Sequence, residues 1–251
     1  MKRKKAVEIE IEKKALAFRQ QSGLSGTEPI RLKSLLLKMR VQALFRPLSD
    51  GFSGMAIKVG DARFMMVNCG QNVGKQHFTI GHELYHLFIQ EEFESQQCIV
   101  GEFENSEDDQ EYRADLFSAF LLLPEDGIKQ IIPDEEFGRG RSISLQTILK
   151  VEQYYSVSRR ALLYRLLGLE FINQSQYDQH KENVRRGAQQ NGYTTELYEP
   201  GNKDLIIGDY GVIARGLLET ERISESHYLE LMSAIGVNLL APETEDENGK
   251  G

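Results

Sequence analysis

Two histidines and a glutamate stand inside an otherwise apolar run, FTIGHELYHLFIQ (78–90), and no other stretch restricts so narrowly what the chain can fold into. A buried helix ordinarily avoids ionisable side chains, because leaving one without a partner is costly. His82 and His86 are four residues apart, so on a helix they share one face about a turn apart. The stretch His82-Glu83-Leu84-Tyr85-His86 therefore reads HExxH: two imidazoles directed at a single ion. Glu83, one step round the helix, is free to take a proton from a water activated there. The pattern arises by chance in roughly 1% of chains this long. Phe78, Ile80, Leu84, Leu87, Phe88 and Ile89 surround it with core-type side chains, unlike the charge-rich exposed helices that produce it by accident.

A catalytic zinc needs a third protein ligand and an open fourth position. The acidic candidates downstream are Glu102, Glu104, Glu107, Asp108, Asp109, Glu111 and Asp115. Asp108 or Asp109 suits the cap of the helix that follows, EYRADLFSAFLLL (111–123), which stops near Pro124. Glu111 and Asp115 lie four apart on one face at its start, and Ala114 between them leaves room for a neighbouring helix. The favoured division places Glu111 on the metal and Asp115 behind it, accepting an N–H from the far nitrogen of a ligating histidine. The reverse, Asp115 as ligand, stays open.

The rest of the chain reads as α+β. Residues 5–21 suit an amphipathic helix, although the alternation VEIEI also permits a strand. A breaker-rich turn, SGLSGTEPI, precedes a second helix through IRLKSLLLKM. VQALFRPL, SGMAIKV and RFMMVN are short strand candidates, the last two joined by Gly60-Asp61 as a hairpin, and a small antiparallel sheet is expected. Residues 143–168 suggest two helices around YSVS, 171–204 is polar and mixed, and 205–240 suggests another helical pair. The last residues, 241–251, are acidic and expected to be disordered.

The whole sequence has 251 residues and a formal net charge of -8, which weighs weakly against a nonspecific hold on nucleic acid. No apolar run approaches the roughly 20 residues needed to span a bilayer. The basic start lacks a following apolar segment, so no secretory signal and no membrane partner are expected. The two cysteines, Cys69 and Cys98, form no CxxC pair and read as reduced thiols, in keeping with a cytoplasmic protein.

HELYH followed by EYRADLFSAFLLLP, with the SGMAIKV…RFMMVN hairpin ahead of it, resembles the ImmA/IrrE family of zinc-dependent metallopeptidases, within the gluzincin-like group. The resemblance implies one Zn2+ per chain held by His82, His86 and Glu111, with Glu83 as catalytic base and Asp115 supporting a ligating histidine. It implies a zincin-like metallopeptidase domain over 1–125, a helical, helix-turn-helix-like segment over 126–170 and an accessory region over 171–240. Characterised relatives cleave cytoplasmic transcriptional repressors, and others sit beside antitoxin-like partners, so the expected substrate is a repressor or an antitoxin. This sequence departs from the family pattern at Tyr85, where many members have glycine, at Gly81, where alanine is common, and at Ser118 and Phe120.

LQTILKVEQYYSVSRRALLYRLLGLEFI has helix-turn-helix spacing, with Arg159, Arg160 and Arg165 available for phosphates or bases. Its apolar content favours a packing or docking role over direct DNA contact. A zinc-containing regulator that binds a repressor or DNA without cutting is the competing reading. His77, Tyr112, Tyr154, Tyr155 and His180 are candidates for a second oxyanion donor, and the sequence does not choose among them.

Overall fold

The computed structural model describes residues 2–49, 51–92, 97–98, 109–137 and 142–239, with the backbone alone for 2–4 and 97–98. The acidic loop over 102–108, the Asp108 cap and the 241–251 tail lie outside the described residues. The chain divides into two compact units, Met1–Ile207 and Gly208–Gly251. The sequence-drawn boundaries at 125 and 170 fall inside the first of them.

The first unit opens with helices α1 (Lys2–Gln21) and α2 (Leu32–Lys38), followed by strands β1 (Val41–Arg46), β2 (Gly54–Val59) and β3 (Ala62–Asn68). Helix α3 (Val73–Phe88), the short strand β4 (Gln97–Cys98) and helices α4 (Asp109–Leu122) and α5 (Glu125–Ile131) come next. Helices α6 (Leu145–Tyr155), α7 (Arg159–Gly168), α8 (Gln174–His180) and α9 (Val184–Gln190) lead to strand β5 (Ile206–Ile207). The second unit is a helix pair, α10 (Tyr210–Glu219) and α11 (Glu225–Ala234), in which Ala214, Tyr228 and Met232 are buried. No helix among the described residues is long and apolar enough to cross a membrane.

The VEIEI alternation resolves as helix. Ile11, Ala15 and Phe18, spaced four and three apart, form one buried face of α1, and α1 packs on α4. The sheet has the order β4-β2-β3-β1-β5. β2 and β3 pair antiparallel as the Gly60-Asp61 signal predicts, with Gly60 supplying the positive φ of the two-residue loop. β1 departs from the antiparallel expectation: it runs parallel to β3, Val41 opposite Arg63 through Arg46 opposite Asn68. The sheet is therefore mixed, because the connection from β1 to β2 crosses to the far side of β3. β5 closes the other side, antiparallel to β1.

Helix α3 lies against β2 and β3 on one side and α4 on the other. Two arginines take up carbonyls at the end of α4: Arg19 of α1 donates to Leu121 O, and Arg165 Nε donates to Leu123 O at 3.2 Å. Cations at a helix C-terminus also complement its partial negative charge.

The helix-turn-helix spacing is real. α6 ends at Ser156 in the left-handed region (φ 54°), and the Ser158 hydroxyl caps α7 by accepting from Ala161 N. Two of its three arginines are nonetheless internal. Arg159 grips both carboxylate oxygens of the buried Glu152, at 2.5 and 2.6 Å. Arg165 pairs with Glu12 at 2.7 Å and stacks over the Phe120 ring. Arg160 alone of the three is exposed.

Candidate metal centre

The Asn72 side chain starts α3 by accepting from Lys75 N at 2.8 Å. From Phe78 to Leu87 the helix is buried without interruption, because one flank meets the sheet and the other meets α4. Gly81 permits the second contact. A Cβ there would stand 2.4 Å from Ser118 Oγ, and that hydroxyl donates to Phe78 O at 2.7 Å. At this close crossing Asp115, one turn before Ser118, faces His82.

His82 Nε2 and His86 Nε2 are 3.1 Å apart. Glu111 Oε2 lies 3.1 Å from His82 Nε2, and its Oε1 lies 3.3 Å from His86 Nε2. The three residues form a group whose donor atoms fit a single metal ion. Two ligands at about 2.0–2.1 Å subtending a tetrahedral angle would be about 3.3–3.4 Å apart, close to these edges. Two imidazole nitrogens and a carboxylate are also a donor set that zinc accepts.

The far nitrogen of each imidazole has its own acceptor. His82 Nδ1 lies 2.8 Å from Asp115 Oδ1. An ionised carboxylate can only accept, so the proton sits on Nδ1 and the Nε2 lone pair points at the cluster. His86 Nδ1 makes the same arrangement with Gln90 Oε1 at 2.5 Å, while Gln90 Nε2 donates to Glu92 O. Gln90 is absent from the reading of the sequence. Its one signal is its place four residues after His86 on the same helical path.

Burial raises the Glu111 carboxyl, but protons on the facing Nε2 atoms of His82 and His86, standing where a metal would, outweigh it and hold the group well below the usual carboxylate range. Glu83 is fully buried beside the start of β2, where a Cβ on Gly54 would come within 3.1 Å of Glu83 Oε1. Tyr85, also buried, packs edge-on to His86, and its hydroxyl donates to Gln110 Oε1 at 2.8 Å. Burial pushes that phenol up to about 12, so it remains a donor at neutral pH.

The candidate oxyanion donors have contacts elsewhere. His77 Nδ1 meets Ser156 O at 2.7 Å, Tyr154 donates to Glu28 and Tyr155 donates to Thr27 O. Tyr112 faces Glu8 and Tyr164, and the His180 imidazole meets the Ile143 backbone. Burial lowers both His77 and His180, which keeps them neutral.

Residues 40–167 match the family model described as Peptidase_M78, IrrE N-terminal-like domain, a span that contains the whole metal group and most of the helix-turn-helix segment. A comparison with curated proteins gave no match.

Proposed function

Because the chain belongs to the Peptidase_M78 family, through its IrrE N-terminal-like domain, we propose that it is a zinc-dependent endopeptidase acting on a cytoplasmic regulatory protein, a helix-turn-helix repressor or an antitoxin. The observation that carries the reading is the convergence of His82, His86 and Glu111 beside a buried glutamate, Glu83, that the three-donor group does not include. A structural zinc site would close with four ligands; the three that converge among the described residues leave a position for chemistry. The choice of a repressor or antitoxin as substrate rests on the resemblance to proteases that cut such proteins.

Zn2+ held by these three side chains would supply a Lewis acid that polarises the scissile carbonyl and acidifies water. The protein's own groups do the rest. Asp115 and Gln90 fix the tautomers of His82 and His86 so that both Nε2 lone pairs converge. Glu83 takes the proton of the attacking water and returns it to the amide nitrogen as the peptide C–N bond breaks. β2 begins beside Glu83 at Gly54 and is covered there by β4, so the edge carried by β4 is where an extended substrate would lie, its backbone paired and its side chains sorted by pockets.

The test is metal content and peptide cleavage in three proteins purified without added metal. Wild type should carry about one zinc per chain, and Glu111→Ala should lose it. Glu83→Gln should keep the metal and lose about 10²–10⁴-fold in cleavage of a peptide library read by mass spectrometry. Wild type without zinc after controlled addition, or undiminished cleavage by Glu83→Gln, would sink the proposal. Zinc without any cleaved peptide would favour the non-cutting regulator.

A further inference from the structure

We infer that Tyr85, inside the HExxH stretch, is a positioning residue that fixes the third ligand, Glu111, through Gln110. This rests on the metal reading above and goes beyond its ligands. Glu111 is the third residue of α4, within the first turn, the part of a helix that its own hydrogen bonds hold least. Such a turn is set by whatever holds it from outside.

Beside the contacts of Tyr112 with Glu8 and Tyr164, two further ties are seen among the described residues. At the rim, Arg113 binds Asp109 Oδ2 at 2.8 Å and Glu10 at 3.2 Å, with both carboxylates largely in solvent. Exposed pairs of this kind hold geometry weakly. The other tie is internal: the Tyr85 hydroxyl donates to Gln110 Oε1 at 2.8 Å, one residue before the ligand. Tyr85 is 2% exposed and clamped by rings, 5.6 Å from His86 and 5.7 Å from Phe117 between centroids. One side chain of α3 thus touches a ligand of its own helix and hydrogen-bonds the residue that precedes the ligand of the other.

A phenylalanine at 85 keeps both ring contacts and removes only the hydroxyl. Outer partners of metal ligands typically govern affinity by about 10–100-fold. Zinc affinity is to be read by competition with a chromogenic chelator, with thermal unfolding of the metal-free proteins alongside. Tyr85→Phe and Gln110→Ala should each weaken zinc about 10-fold, and the double variant should be no weaker than either single. The metal-free Tyr85→Phe protein should melt no lower than metal-free Gln110→Ala, whereas general loosening of the fold would lower it further.

A Tyr85→Phe affinity within twofold of wild type, additive singles, or a metal-free Tyr85→Phe protein that melts below Gln110→Ala would each overturn the inference while leaving the metal site standing. Wild type that binds no zinc would overturn both.

Discussion

Asp115 is the residue through which α4 holds His82 from behind. Its carboxylate meets His82 Nδ1 at 2.8 Å and is almost fully buried, so the bond is formed away from competing water. Asparagine could keep an acceptor there but not the charge, and alanine keeps neither. Zinc affinity should therefore fall in the order wild type, Asp115→Asn, Asp115→Ala, with the last about 10–100-fold weaker by chelator competition. Equal affinity for Asp115→Ala and wild type would show that His82 needs no help from α4. The roles of Glu111 and Asp115 were open in the sequence because two carboxylates four apart are equivalent by spacing alone. The distances separate them: Glu111 faces both Nε2 atoms and Asp115 faces a far Nδ1. Gln90 was not legible, since a neutral amide leaves no charge or spacing signature until a helix places it beside His86.

At the level of elements, the α3–α4 crossing is where the sequence and the family pattern part, and two of the departures turn out to be one contact. Gly81 and Ser118 face each other, the missing methyl on one helix making space for the hydroxyl on the other. Gly81→Ala alone should destabilise the protein by about 1–3 kcal/mol, as overpacking does. Ser118→Ala alone should cost about 0.5–1.5 kcal/mol for the lost bond to Phe78 O. Together they should cost less than their sum, because alanine at 81 then meets no hydroxyl and is the better helix former. Denaturant unfolding of the four proteins checks this, and strict additivity would refute the pairing. Helices α3 and α4 were readable because a ligand set forces spacing onto the sequence. The parallel β1–β3 pairing was not, since apolar alternation identifies a strand but is blind to its direction.

Over the whole molecule, the polar stretch after α7 belongs to the body that carries the metal group. Residues 171–204 show no strong period, yet they return to the sheet, to the start of α3 and to the pair that joins α6 and α7. Gly201 O accepts from the buried Gln76 Nε2 at 3.1 Å, Asn202 donates back to Gln76 Oε1 at 2.9 Å, and Val73 N, the first of α3, donates to Glu199 O. Tyr198 donates to Glu152 at 2.5 Å, completing the buried pair with Arg159, whose Nη1 donates to His180 O. Asp204 pairs with Arg46, and β5 follows as the partner of β1. A chain ending at 170 would leave the Glu152–Arg159 pair, Gln76 and the start of α3 without these partners, and several buried groups left unsatisfied at about 1–3 kcal/mol each add up. That is a large share of a domain's usual margin of about 5–15 kcal/mol. A chain ending at Ile207 keeps all of these contacts. It should therefore unfold cooperatively and bind one zinc like the full protein, while a chain ending at 170 should lose both the cooperative transition and the metal. Thermal unfolding and zinc stoichiometry of the two truncations decide it. A 1–170 chain that melts sharply and retains zinc would show that the strap from 171 to 207 is an appendage rather than a part of the metal-bearing body.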